Sequence, residues 1–245
     1  MLEMDLAPNR GRSYITYPGY RVGMKPPNAG KTYPAEVLTR DEVHRLLSAC
    51  SRRGHAGLRN RALIVLLWRT GLRISEALAL EVKDIDLEGG TVRVLHGKND
   101  RARTVGIDAG ALAILEDWMA RRRELGVPRG APVFCTITRP NIGSPVYSSV
   151  VREMLKDLAV KAGIEKRVHP HGFRHTHASE LASENMPLNL IQKQLGHKNL
   201  AVTAHYIDHL QPEQVIRAIH GRPEWATSHD ASLGLQLGGD GPAAG

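Results

Sequence analysis

Cysteine is nearly missing from this chain. Cys50 and Cys135 are two thiols in 245 residues, too few for a disulfide framework, and nothing in their placement points to an oxidising compartment. Long apolar runs are missing as well. The longest, Ala62 to Trp68, has the length of a core helix segment and falls far short of the roughly 20 residues that span a bilayer. The opening MLEMDLAPNR has no charged-then-apolar signal pattern. These absences read as a soluble, cytoplasmic protein with no membrane role. Aromatic residues make up only 4% of the chain, so aliphatic side chains must fill its core. Acidic residues are in the minority, 25 Asp and Glu against 33 Lys and Arg, and the net charge is +8. A surplus of that size favours a polyanionic partner, because each neutralised phosphate releases counterions.

Residues 1–34 hold Pro8, Pro18, Pro26, Pro27 and Pro34, with Tyr14, Tyr17 and Tyr20 set among Arg10, Arg12, Arg21, Lys25 and Lys31. Basic and aromatic residues interleaved on a flexible arm suit a nucleic-acid backbone and its bases; an untidy terminal tail has the same composition. Order is expected from Leu38. Thr39 and Glu42 form a capping box ahead of Val43, Leu46 and Leu47 at helical spacing. Further helices are expected at about Arg59 to Arg69, stopping near Gly71, and at Ile74 to Leu80. Gly89-Gly90 reads as a turn between Ile85-Asp86-Leu87 and the alternating strand Thr91 to Leu95. A second turn, Gly97 to Asp100, puts Lys98 on a hairpin tip before a strand with Val105 and Ile107. Helices follow at Ala111 to Leu125 and Ser148 to Ala162, with an extended stretch at Pro132 to Ile137 between them. From His171 to Arg217 the chain reads as short helices broken near Pro187, Gly196 and Pro212. Six glycines and a single basic residue, Arg222, in the last 25 residues read as a disordered tail. The expected class is mainly α with a small antiparallel β-sheet (α+β).

Between 169 and 177 the segment HPHGFRHTH packs four histidines and Arg174 into nine positions. Three readings are open. In the first, His171 with His175, or His177 with Glu180, have the helical spacing of zinc ligands, but a third ligand is not evident and HExxH is absent. In the second, the histidines only cap and pack a helix start. In the third, Arg174 shares a helical face with His171, its planar fork of donors matches a phosphate, and the imidazole moves a proton near neutrality.

Two other stretches bear on the choice. TGLRISEAL at 70–78, HGFRHT at 171–176 and LGHKNLAVTAHY at 195–206 resemble, in order and spacing, the three signature boxes of the tyrosine recombinases, the phage-integrase family. The resemblance runs over about residues 35–220. It implies the family's catalytic-domain fold and a site-specific DNA recombinase or integrase, with double-stranded DNA as partner and neither cofactor nor metal. The family chemistry is attack of a tyrosine hydroxyl on a phosphodiester with departure of a 5′ hydroxyl, so preorganised cations should surround the non-bridging oxygens. By resemblance Arg73 and Arg174 form that clamp, Tyr206 is the nucleophile, His171 accepts or orients its proton, His197 bonds the transition-state phosphate, and Lys98 protonates the leaving oxygen. Arg101 and Arg103 lie on the same loop as Lys98 and compete with it for that role. Glu76 and His175 are expected to support the site.

The resemblance also implies a DNA breaking-rejoining domain at 35–222, preceded by a basic arm at 1–34 and followed by a Gly-rich tail at 223–245. Family members usually carry a helical core-binding domain before the catalytic one, and 34 irregular residues cannot build a second core. In the family a C-terminal helix, here 211–220 (QPEQVIRAIH), docks on a neighbouring protomer to give a tetramer on two DNA sites; packing within one chain is the alternative for Val215, Ile216 and Ile219. Two other activities fit the same boxes: a DNA-binding regulator that keeps the fold without recombining, and a type IB topoisomerase-like enzyme.

Overall fold

The computed structural model describes residues 37–51, 53–95, 102–196 and 220. Helix α1 (Arg40–Ala49) begins at the expected capping box: Thr39 Oγ1 accepts from the Glu42 amide at 3.1 Å, and Glu42 Oε2 accepts from the Thr39 amide at 2.7 Å. Its apolar stripe, Val43, Leu46 and Leu47, is buried.

Helix α2 (His55–Thr70) carries the longest apolar run, and Ala62 through Trp68 are all buried. A helix apolar on every side has to be surrounded, and α2 is packed by α4 (Ala109–Glu124) and α6 (Pro170–Ser183). It ends at Gly71 in the left-handed conformation, φ 64°. Glycine is needed there for a second reason. A Cβ would sit 2.6 Å from Leu195 Cδ2 and 2.8 Å from His177 Cδ2, so the bare backbone is what lets α6 and the helix after it close on the end of α2.

Helix α3 (Ile74–Ala79) follows at once, then a 3-10 turn (Val82–Asp84) and a three-stranded antiparallel sheet. Strand β1 (Ile85–Asp86) pairs with β2 (Thr91–Val94), and β2 with β3 (Arg103–Gly106), in the order β1-β2-β3. Val92 faces Val105, and both are buried, while the alternate residues Arg93 and Thr104 point outward. The Asp86 side chain accepts the amides of Glu88 and Gly89 and closes the first turn.

Helix α5 (Ser148–Lys161) packs on α1 and α3. Helix α7 (Leu188–Leu195) starts after Pro187 and stops at Gly196, φ 67°, the two breaks expected there. Most buried side chains form one core across α1 to α6; Ala178, Leu181 and Ala182 of α6 form a separate small cluster with Ile191 and Leu195 of α7. The fold is mainly helical with a small antiparallel sheet.

Two helix starts differ from expectation. Helix α2 starts at His55 rather than Arg59, behind Gly54, whose lack of a capping side chain removed the start signal. Helix α6 begins one residue before His171, with Pro170 in its first turn and His169 as cap. Pro132 to Ile137 is free of helix, as expected, and Cys135 within it forms an isolated bridge to Pro145.

Candidate active site

His169 Nδ1 accepts the Gly172 amide at 3.3 Å, so this histidine caps α6. One turn in, Arg174 is 1% exposed, a rare depth for a guanidinium. Its Nη1 donates to the Gly71 carbonyl at 2.7 Å and its Nη2 to the Leu195 carbonyl at 2.6 Å. One side chain thus ties together the end of α2, the end of α7 and the first turn of α6. Burial of a charge is tolerated when hydrogen bonds hold it.

Two residues beyond Gly71, Arg73 caps α3, its side chain 30% exposed. Glu76 holds it. Glu76 accepts the Arg73 amide at 2.9 Å and Arg73 Nη1 at 2.9 Å. Glu76 also accepts both terminal nitrogens of Arg103, at 3.0 and 2.9 Å, in a fork-to-fork pair. The Glu76 side chain is 1% exposed. Burial alone would raise its pKa, but the Arg103 donors, the Arg73 amide and the two positive charges outweigh that and bring it to about 2. Glu76 is therefore an anion at any working pH, engaged on its inner side by Arg103 and free to orient Arg73.

His171 stands at the exposed start of α6, edge-on to His175 with ring centroids 4.3 Å apart. Its pKa is lowered, first by the protein crowding its ring and then by Arg174, His169 and Arg73. The Arg174–Gly71 hydrogen bond brings the first and second signature boxes together. A neutral His171 is a proton acceptor in reach of cations that are always charged. His171 lies in the N-terminal turn of α6, where the helix dipole favours an anion.

His177 points the other way, into the body of the protein. It is 4% exposed, and neither ring nitrogen meets a hydrogen-bond partner of good geometry. Its pKa falls to about 4, by burial first, then by Arg69 and Arg174, with Asp108 and the Trp68 backbone opposing. Glu180 is occupied elsewhere: it accepts Trp68 Nε1 and Arg69 Nη1, each at 3.0 Å. Among the described residues no three His, Cys, Asp or Glu side chains gather as metal ligands.

Of the site residues expected from sequence, Arg73, Glu76, His171, Arg174 and His175 are brought to one region. Lys98, His197 and Tyr206 lie outside the described residues, as do the 1–34 arm, the 223–245 tail and all of the 211–220 helix except His220. Arg103, weighed from sequence as a stand-in for Lys98, is instead locked on Glu76. The bidentate pairing spans 27 residues, and no local signal announces it.

The phage integrase family model matches residues 36–213. The chain is 35% identical over 201 residues to "Tyrosine recombinase XerC" of Xanthomonas axonopodis pv. citri (strain 306), covering 81% of this chain and 63% of that relative. Among solved structures, the XerA recombinase superposes with a TM-score of 0.64 at 29% identity, over 77% of this chain and 66% of that one. The XerH site-specific recombinase bound to its palindromic difH substrate, in a post-cleavage complex, superposes with a TM-score of 0.62 at 28% identity, over 76% and 53%. The chain thus spans about three fifths of the length of that sequence relative.

Proposed function

Since this chain belongs to the phage integrase family, we propose that it is a tyrosine-type site-specific DNA recombinase that cleaves and rejoins duplex DNA through a phosphotyrosine on Tyr206. The observation that carries the reading is the Arg174 bond to the Gly71 carbonyl, which sets Arg174 and its helix neighbour His171 beside the stretch that holds Arg73, with Glu76 fixing Arg73. That cluster suits a phosphodiester whose charge grows in the transition state.

In this mechanism Arg73 and Arg174 hold the non-bridging oxygens of the scissile phosphate. A phenol with a pKa of about 10 needs a base near neutrality, and His171, kept neutral by its surroundings, receives the Tyr206 proton as the phenolic oxygen bonds to phosphorus. The bond from phosphorus to the 5′ oxygen breaks, and Lys98 delivers a proton to that oxygen. His197 supplies a further hydrogen bond to the phosphate. The 3′-phosphotyrosine conserves the bond energy, so attack by a 5′ hydroxyl reseals the strand with neither nucleotide nor metal.

Double-stranded DNA is the proposed partner. The related XerH recombinase is bound to its difH substrate in a post-cleavage complex, and this chain's +8 charge suits a polyanion. We read 35–222 as the breaking-rejoining domain, 1–34 as a basic arm along the DNA, and 223–245 as a tail. Helix 211–220 is the proposed contact that joins four protomers on two DNA sites. A cytoplasmic location is part of the proposal, since the reaction needs access to the DNA. No helix among the described residues is long and apolar enough to cross a membrane.

The test is covalent trapping on nicked suicide duplexes cut from DNA flanking the gene. Wild type should give an SDS-resistant protein–DNA adduct and Tyr206→Phe none. Salt-sensitive binding without an adduct in either protein would replace this reading with a DNA-binding regulator.

A further inference from the structure

Three consecutive residues at the end of α7 each engage a different part of the site. Gln194 reaches the free edge of the sheet: its Oε1 accepts the Gly106 amide at 3.1 Å, and its Nε2 donates to the Gly106 carbonyl at 2.9 Å. The side-chain amide thereby pairs with β3 as a neighbouring strand would. Leu195 offers its carbonyl to Arg174 at 2.6 Å. Gly196 lies against the Arg103 guanidinium; a Cβ at this position would stand 2.8 Å from Arg103 Nε and 2.9 Å from Cδ. Arg103 in turn grips Glu76, which holds Arg73.

Among the described residues, the apolar packing of helix α7 is small. It rests on α6 through a small cluster set apart from the main core, with Ile191 and Leu195 as its buried residues. Apolar contact of that size holds a helix against its neighbour but leaves sliding and rotation weakly specified, because dispersion and burial are not directional. Hydrogen bonds are directional. A reciprocal amide pair on β3 and a guanidinium under Gly196 fix the C-terminal end of α7 in position and rotation. That end leads directly into His197.

We propose that Arg103 and Gln194 are positioning residues, which set the end of α7 in register with Arg73. The proposal rests on the recombinase reading of the site. Arg103 acts through Glu76 and Gly196, and Gln194 through the β3 backbone. They are expected to govern the rate of strand cleavage on bound DNA while leaving the affinity for DNA nearly unchanged.

The experiment compares full-length wild type, Arg103→Lys, Arg103→Met, Gln194→Ala and the double variant Arg103→Met/Gln194→Ala. Three quantities are read: the single-turnover rate of adduct formation at saturating duplex, the Kd for that duplex, and amide hydrogen exchange of residues 188–196 with α2 as internal reference. Each single variant should slow the saturating rate at least tenfold, keep Kd within about threefold, and speed exchange in 188–196 with no change in α2. Arg103→Lys should recover part of the rate lost in Arg103→Met. The double variant should lose less than the product of the two single losses, since both residues act on one element. Unchanged exchange in 188–196 in Gln194→Ala and Arg103→Lys would overturn the proposal. So would a rate loss matched by an equal rise in Kd, or exchange rising equally in α2. A wild-type chain that forms no adduct sinks the cleavage reading instead, and the exchange comparison then decides alone whether these side chains hold α7.

Discussion

Arg174 donates to the carbonyl of Gly71 at 2.7 Å, across 103 residues of sequence. The bond joins the second signature box to the first and requires a guanidinium, because Nη2 of the same group must also reach Leu195. Lysine offers a point charge on a flexible stem and does not reproduce the planar fork that serves both carbonyls at once. Arg174→Lys should lower single-turnover cleavage at least a hundredfold and reduce unfolding free energy by about 1–3 kcal/mol, the range for leaving a buried polar group unpartnered. Denaturant melts and adduct kinetics check both numbers.

Glu76 serves two arginines at once. Removing only its charge, in Glu76→Gln, keeps its shape but leaves Arg103 buried beside a neutral amide. Breaking one side of a buried ion pair costs about 3–5 kcal/mol, and the 14% exposure of the Arg103 side chain places this pair toward the lower end. The melt should show that loss, together with a cleavage defect, because Arg73 loses its anchor.

Acid should unfold the protein in two stages. His177 takes its proton near pH 6.5 when unfolded and only near pH 4 when folded, so its contribution to stability is complete above about 6.5 and is lost as pH falls toward 4. Glu76 takes its proton near 4.5 when unfolded and about 2 when folded, so its contribution is complete above about pH 5 and is lost toward 2. At about 1.36 kcal/mol per pH unit, each is on the order of 3 kcal/mol at full titration. His177→Leu should flatten the stability profile between pH 6.5 and 4, and Glu76→Gln the profile below 5. A His177→Leu profile parallel to wild type would show that the buried imidazole does not set the upper stage.

Thr39→Ala should cost about 1 kcal/mol in thermal or chemical melts, since the hydroxyl accepts the Glu42 amide at the start of α1. Cleavage per folded molecule should be unaffected, which makes this variant a control for stability effects.

Arginine-based phosphate binding also fixes the response to solution conditions. In the proposed mechanism Arg73, Arg174 and Lys98 supply the positive charge, so cleavage should proceed at the same rate in EDTA. Affinity for duplex should fall at least a hundredfold between 50 and 200 mM salt, because six to ten neutralised phosphates cost about three to five orders of magnitude over that range. Gel-shift titrations at several salt concentrations give the slope.

Much of this was legible locally. The Thr39–Glu42 box, the Gly71 stop, the Gly89-Gly90 turn and the breaks at Pro187 and Gly196 are written in short stretches whose chemistry acts on their own backbone. The signature boxes named Arg73 and Arg174, and helical spacing put Glu76 beside Arg73. What stayed hidden depends on tertiary contact. Arg103 meets Glu76 from another element, and Gln194 meets a sheet edge 88 residues away. The start of α6 is also written locally, since Pro170 after His169 is itself a helix-start signal.

The central claim is that Tyr206 becomes covalently bonded to DNA in a site built by Arg73, Arg174 and His171. Peptide mapping of the trapped adduct by tandem mass spectrometry tests it most directly. The expected product is a deoxynucleotide 3′-phosphate attached to the tyrosine of the AHYIDHL segment, at Tyr206, which disappears in Arg174→Lys under conditions where DNA remains bound. A phosphate on any other residue, or an undiminished adduct in Arg174→Lys, would contradict it.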